Sequence, residues 1–278
     1  MLENGADLIL LIKFILLGFV QGFTEPIPIS SSGHVILIKD LFGIYTTGLS
    51  FEIIVNFGSL LAIMTVYRND LIVLIKENIA FLFKGEKQYA HSFRFTLYLL
   101  LATMITGVLG LTIEQFISEE LTKPLFVGIS LLVTAFFVWL IRNLQGTKSD
   151  IDITMKDAII IGLAQTCALI PGISRSGATI VAAMLIGLKR ETALRFSFLL
   201  FIPVTIGVNV LSYKDIVNDP LFSANFIPYT LAFITSIITT YFALKWFIDV
   251  MKKGKLIIFT YYCLVVGTAV IVYQLFFN

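Results

Sequence analysis

The chain has 278 residues, of which 58% are apolar and only 14% charged, with a formal net charge of +2. Together with a mean hydropathy of +0.93, this composition excludes an ordinary soluble domain and a nucleic-acid-binding surface, and defines an integral membrane protein. No Walker loop or dinucleotide fingerprint occurs. Cys167 and Cys263 stand far apart in apolar surroundings, so two buried free thiols are expected rather than a disulfide or a metal site.

The first apolar stretch, Leu8 to Phe23, lacks a basic leader and a small-residue cleavage site and is not expected to be a removable signal peptide. It is too short to cross a bilayer comfortably, as is the next stretch, Ser31 to Phe42. Between them runs GFVQGFTEPIPISSSGH, starting at Gly18. Pro26 and Pro28 cannot donate to a helix and restrict the residues before them, and Ser30 and Ser31 stand where helix N-caps are expected. Leu49 to Tyr67 has the length of a full crossing; Leu71 to Phe83 is either a short crossing or, as Lys76, Glu77 and Asn78 in its middle suggest, a helix lying at the cytoplasmic interface. Phe93 to Ile113 and Pro124 to Ile141 are crossings, and the polar linker RNLQGTKSDID follows.

The pattern then starts again. Two short apolar pieces, Met155 to Ile170 and Gly177 to Leu188, flank GLAQTCALIPGISRSGA, which begins at Gly162, 144 residues after the first copy. Gly18/Gly162, Gln21/Gln165, Ile29/Ile173, Ser30/Ser174, Ser32/Ser176 and Gly33/Gly177 match without a gap. Pro171 breaks this copy and Ser174 is its expected N-cap. Ala193 to Leu211, Phe226 to Ile248 and Leu256 to Phe277 complete about six crossings.

Backbone that leaves helical geometry at membrane depth survives only against protein or water, so each short pair is expected to form a re-entrant helical hairpin. Lysine and arginine set the orientation. Arg68, Lys76, Lys84, Lys87 and Arg94, then Arg142, Lys148 and Lys156, then Lys189, Arg190 and Arg195, then Lys252, Lys253 and Lys255 occupy four connections that fall on one face, the cytoplasmic one. The other face carries Glu3, Asp7, Glu114, Glu119, Glu120, Lys123, Lys214, Asp215 and Asp219, and both termini are expected there, outside. Three crossings per half then send one hairpin in from each side. The expected fold is a single all-α membrane domain over 1–278, an inverted-topology repeat with repeat one at about 8–141, linker 142–152 and repeat two at about 155–277.

The hairpin tips carry Gln21, Glu25, Ser30, Ser31, Ser32 and His34 in copy one and Gln165, Ser174, Arg175, Ser176 and Thr179 in copy two. Ionisable groups at this depth cost about 2.5–3.5 kcal/mol each on insertion scales, so they need partners or a function. A bare Glu25–Arg175 ion pair gluing the tips is the structural alternative. The chemical reading has two serine-rich turns opening helices toward one spot, an anion site for phosphate or diphosphate. Arg175 adds a fork suited to phosphate oxygens, and Ser30, Ser32, Gly33, Ser174, Ser176, Gly177 and Thr179 complete the phosphate-binding set. Ser31 is a candidate nucleophile with His34 a turn away as base or acid. Glu25 with Gln21 could hold Mg²⁺ or Ca²⁺ against substrate phosphates, or orient an attacking water. Attack by Ser31, by His34 and by water all remain open. Glu52 and Asn56, one turn apart near the outer end of a crossing, are read either as lining the site entrance or as interfacial and helix-packing residues. His91 is read as solvated and Asn209 as helix-bridging, and none of the four is assigned a catalytic role.

QGFTEPIPISSSGH and LIPGISRSGATI, followed by FEIIVNFGSLLA and FSFLLFIPVTIG, resemble the undecaprenyl-diphosphate phosphatases associated with bacitracin resistance, over nearly the whole chain. The resemblance implies a bacterial plasma-membrane enzyme that hydrolyses undecaprenyl diphosphate to undecaprenyl phosphate and so recycles the lipid carrier of wall polymers. It also implies a divalent-cation requirement and a site open to the periplasmic side. By position, Gln21 and Glu25 take the acidic-motif places, Ser31 that of the essential serine, His34 that of the motif histidine and Arg175 that of the second motif's arginine. Gln21 replaces an acid, and Pro26 stands where an aromatic or aliphatic residue is more familiar. A lipid-phosphate flippase or anion transporter is the alternative, because the same inverted architecture serves carriers. Membrane lipid is the expected environment, nucleic acid is not an expected partner, and self-association is left open.

Overall fold

The computed structural model describes residues 5–44, 49–113 and 119–276. Every major element is a helix. The first half holds α1 (Gly5–Thr24), α2 (Ser31–Phe42), α3 (Ser50–Val66), α4 (Arg68–Lys84), α5 (Ala90–Ile113) and α6 (Pro124–Ile141). The second holds α7 (Met155–Cys167), α8 (Arg175–Leu185), α9 (Arg190–Leu211), two short helices α10 (Tyr213–Val217) and α11 (Pro220–Ala224), then α12 (Phe226–Lys252) and α13 (Ile257–Phe276). Among the described residues, α5, α6, α9, α12 and α13 are long and apolar enough to cross a membrane. The pair α3 and α4 would make a sixth span only as a broken one, since the chain bends by 73° between them. The crossing expected at Leu49 to Tyr67 therefore ends at this elbow, and α4 leaves at an angle.

The breaks expected at the duplicated segments occur. α1 and α2 are separated by the proline-containing turn 25–30, and α7 and α8 by 168–174. Each turn is closed by a serine cap, with Gly33 N donating to Ser30 Oγ at 3.2 Å and Gly177 N to Ser174 Oγ at 3.0 Å. A second serine bond repeats as well, Ser30 to Ser32 at 3.4 Å and Ser174 to Ser176 at 3.3 Å. Ser31 is not a cap, contrary to the expectation from sequence. It is the first residue of α2, which frees its hydroxyl. Gly172, with φ +88°, is required twice over, because a Cβ there would also lie 2.7 Å from Ser130 Cβ.

The two broken pairs dock on long helices through close backbone approach. On α1, a Cβ at Gly18 would lie 2.2 Å from Ala232 O of α12. On α7, one at Gly162 would lie 3.0 Å from Ala102 O of α5. Small residues at such crossings let helices pack tightly where lipid offers no hydrophobic drive. Buried hydroxyls add bonds across helices, as where Ser236 Oγ donates to Val55 O at 2.7 Å and Thr240 Oγ1 meets Ser59 Oγ at 2.9 Å.

The turns themselves touch. Ser176 Oγ donates to Glu25 O at 3.1 Å and lies 3.3 Å from Ile27 O, so the N-terminus of α8 is tied to the turn before α2. At the other end of α9 sits a charged network, in which Arg195 binds Asp70 through Nε at 2.6 Å and Asp150 of the linker through Nη1. The linker is therefore structured, with a short helical turn at Asp150–Asp152 and Lys148 bonded to Asp157 at 3.1 Å. Glu114, a residue of the acidic face, lies outside the described residues.

Candidate active site

Where the two turns meet, they enclose one side of a cavity of about 170 Å³. Gln21 and Glu25 reach it from α1 and its turn, Ser31 and Ser32 from the start of α2, and Arg175 from the start of α8. The far wall is formed by α3 and α9, through Glu52 and Asn56 on one and Thr205 and Asn209 on the other.

Glu25 is buried and organises the first turn. Its Oε2 accepts from Gln21 Nε2 at 2.7 Å and from Ser31 Oγ at 2.5 Å. The i, i+4 spacing on α1 makes the first bond, and the turn that brings Ser31 back over the helix end makes the second. A hydroxyl donating to a carboxylate in this way is a nucleophile with a base in contact.

Arg175 faces the same space but does not pair with Glu25. Its guanidinium lies over the Phe201 ring at 5.0 Å, and Nη1 donates to Thr205 Oγ1 at 3.2 Å. Among the described residues it has no carboxylate at ion-pair distance, so the simple glue of a Glu25–Arg175 bridge is absent. Its charge is held by an aromatic face and a hydroxyl, which leaves its remaining donors for an anion. The first turns of α2 and α8 both border the cavity, and their free N–H groups add positive potential there.

The other expected phosphate ligands do structural work. Ser30 and Ser174 cap, and Ser176 ties the two turns together. Thr179 Oγ1 returns to Arg175 O at 3.1 Å. Gly33 and Gly177 keep the turns thin, since a Cβ at Gly33 would lie 3.2 Å from Gly172 Cα and one at Gly177 3.3 Å from Pro28 Cβ. Only Ser32 of that group lines the cavity. Gln165, the second copy's counterpart of Gln21, donates instead to Thr106 Oγ1 at 2.9 Å, away from the site.

His34 also turns away. Its Nδ1 lies 2.8 Å from Ser30 O and its Nε2 2.8 Å from Tyr262 Oη, and its ring stacks on Tyr262 at 5.5 Å. Both nitrogens are used, and the ring is not among the groups bordering the cavity. It holds the turn that presents Ser31.

Glu52 and Asn56, set aside on sequence, line the cavity together with Asn209. Glu52 Oε1 meets Lys39 Nζ at 2.5 Å, while Oε2 is buried without a hydrogen-bond partner among the described residues. An acid and an amide one turn apart in an apolar run were the available signal. Thr205 and Asn209 share that spacing, with Asn209 Nδ2 donating to Thr205 O at 2.8 Å. Cys263 is buried as expected, but Cys167 is exposed on the protein surface.

Five membrane-length apolar helices among the described residues, with broken ones that bring serine, carboxylate and guanidinium to one cavity, define a multi-pass membrane protein. The particular family follows from comparison. The family model for "Bacitracin resistance protein BacA" matches residues 14–269. Undecaprenyl-diphosphatase 1 of Bacillus cereus is 53% identical over 262 residues, covering 94% of this chain and 97% of that protein. The undecaprenyl-diphosphatase of Oceanobacillus iheyensis is 52% identical over 267 residues, 95% and 96% of the two chains. Undecaprenyl-diphosphatase 1 of Halalkalibacterium halodurans is 52% identical over 270 residues, 97% and 98%. The chain belongs to this bacitracin-resistance, undecaprenyl-diphosphatase family.

Proposed function

We propose that this protein hydrolyses undecaprenyl diphosphate to undecaprenyl phosphate and inorganic phosphate at the cavity between the two turns. The observation that carries the chemistry is the Ser31 hydroxyl seated on the Glu25 carboxylate at 2.5 Å in the cavity that Arg175 also lines. Ser31 Oγ attacks the terminal phosphorus in line, its proton passes to Glu25, and the bond from phosphorus to the bridging oxygen breaks. Undecaprenyl phosphate leaves. Glu25 loses that proton to bulk water and is again a carboxylate. A water then attacks the phosphoserine and gives a proton to Glu25, which returns it to Ser31 Oγ as the bond from Ser31 Oγ to phosphorus breaks and inorganic phosphate departs. Arg175 and the N-termini of α2 and α8 stabilise charge on the transferring oxygens, which is where phosphoryl-transfer catalysis mostly operates. His34 positions the turn and takes no part in the proton path.

The donor set suits a hard divalent cation such as Mg²⁺ or Ca²⁺. Glu25, the Gln21 amide oxygen and the unpartnered Glu52 Oε2 are all oxygen ligands on one cavity. Among the described residues no three His, Cys, Asp or Glu side chains cluster, so substrate phosphates would complete the shell. A cation held there by Glu25, Gln21 and Glu52 would neutralise charge on phosphate oxygens.

The paired architecture supports an inverted repeat in one membrane domain, with halves at about 8–141 and 155–277. The same serine bonds close both turns, and α1 packs on α12 as α7 packs on α5. With the basic connections cytoplasmic, the cavity opens to the outer face of a bacterial plasma membrane and both termini lie outside. A lipid-phosphate carrier of the same architecture would have no use for the Ser31–Glu25 bond.

The test is phosphate release from undecaprenyl or farnesyl diphosphate by detergent-purified protein with Mg²⁺ or Ca²⁺ present. Release that Arg175→Ala removes is expected. No release, or release unchanged in that variant, overturns the reading.

A further inference from the structure

A second cavity, of opposite character, lies on the other side of the second turn. It is a groove of about 210 Å³ between α6, α7 and α8, bordered by no charged side chain. Phe137 of α6, 43% exposed, and Cys167 of α7 mark where it opens to the protein surface. The groove adjoins the site. Ile173 lines both spaces, and the consecutive residues Cys167 and Ala168 lie one in each. Helix α8 thus shows Arg175 to the polar cavity and Ala178 and Ala182 to the apolar groove.

The space exists because the second copy has shed bulk. With the 144-residue offset kept without a gap, Ala164, Cys167, Ala178 and Ala182 stand where the first copy has Val20, Phe23, His34 and Ile38. In the first copy two of those larger groups, Phe23 and His34, stack on neighbouring rings. Phe23 stacks on Phe19 at 5.9 Å and on Trp246 at 6.0 Å, and His34 stacks on Tyr262. In the second copy four smaller side chains leave an apolar trough whose inner wall is the wall of the phosphate cavity.

We infer that this groove holds the first prenyl units of the substrate, so that the Ile173 wall divides the molecule's polar head from its hydrocarbon tail. The inference rests on the phosphatase reading and gives it a tail subsite. A hydrocarbon at this position must be near the bound diphosphate, and the substrate's own chain is covalently tethered there, whereas a phospholipid acyl chain is not. An apolar trough beside a cluster of convergent polar groups is the usual build of a site for an amphiphile.

Two measurements test it. Installing the first copy's residues, Ala164→Val with Cys167→Phe, fills the groove without touching a cavity-lining side chain. It should raise KM for undecaprenyl diphosphate by about tenfold, the scale on which hydrophobic pockets register lost methylenes, and leave kcat/KM for methyl diphosphate, which has no prenyl unit to seat in the groove, within about twofold. An equal change for both substrates, or none for the long one, overturns the inference. On unmodified protein, a diphosphate carrying a photoreactive diazirine in its first prenyl units should label the α6 and α8 segments around Phe137 and Ala182. Labels confined to other helices, or labels competed by phosphatidylglycerol and not by undecaprenyl phosphate, also overturn it. Failure of the phosphatase reading looks different, since then neither substrate releases phosphate from wild-type protein.

Discussion

The two turns are built alike and used differently. Each breaks an apolar helix with proline, caps the next helix with a serine on the following glycine's N–H, and adds a second serine bond. Yet Ser30 has φ +69°, rare for a residue with a side chain, while Ser174 has an ordinary φ of −70°. The strained turn is the one that delivers Ser31 to Glu25, and its carbonyl is gripped by His34. The relaxed turn delivers Arg175, which rests on Phe201 and Thr205 from a neighbouring helix. Two turns of like build thus present a serine–carboxylate pair on one side of the cavity and a fixed positive charge on the other. Local sequence symmetry sets where the turns are; the unmatched residues set what each does.

The comparison breaks most directly when the second turn is made to resemble the first, and equally hard when the first loses its base. Arg175→Ser should cost about 10²–10³ in kcat, the scale of removing one preorganised transition-state donor, with the melting temperature little changed. Glu25→Gln keeps the shape of the first turn but removes its base, and about 10²–10⁴-fold slower phosphate release is expected. Smaller effects should follow at Glu52, where exchange for Gln should weaken Mn²⁺ binding, read by the metal's own resonance signal, about tenfold.

His34 separates the two roles a motif histidine could have. As a positioning group it should be largely replaced by Gln, with a loss of a few-fold, an unchanged pH profile and about 1 kcal/mol of stability, and Tyr262→Phe should behave similarly. Loss of one limb of the pH–rate profile in His34→Gln would return it to the proton path. The smallest effect belongs to Ser176→Ala, which removes the bond between the turns and should lower stability by about 1 kcal/mol while leaving Arg175 in place.

Much of the scaffold was legible because apolar length and proline are strong local signals. The four short helices fall where Leu8 to Phe23, Ser31 to Phe42, Met155 to Ile170 and Gly177 to Leu188 predicted them, though α7 stops at Cys167. The elbow after Val66 was not legible as a bend of 73°, since it has no proline or glycine to announce it. In the site, Glu25, Ser31 and Arg175 were readable from the broken segments, where a polar residue has few innocent explanations. Glu52 and Asn56 were readable as a polar pair at the site entrance or at the interface, but Thr205 and Asn209 were not readable as site residues, because an apolar helix gives little periodicity to show which face turns inward. The direction of His34 depended on Tyr262, 228 residues away. Cys167 reads as buried from its apolar neighbours in sequence, and is exposed at the mouth of the apolar groove, because an apolar neighbourhood in a membrane chain does not tell a lipid-facing position from a buried one.

The central claim is that Ser31, activated by Glu25, makes and breaks the bond to phosphorus. Phosphate release from undecaprenyl diphosphate by purified Ser31→Ala protein of wild-type thermal stability tests it most directly. The account predicts release no faster than the background without enzyme. Turnover within about tenfold of wild type, too little to be the loss of a covalent nucleophile, would contradict it and leave water as the attacking group.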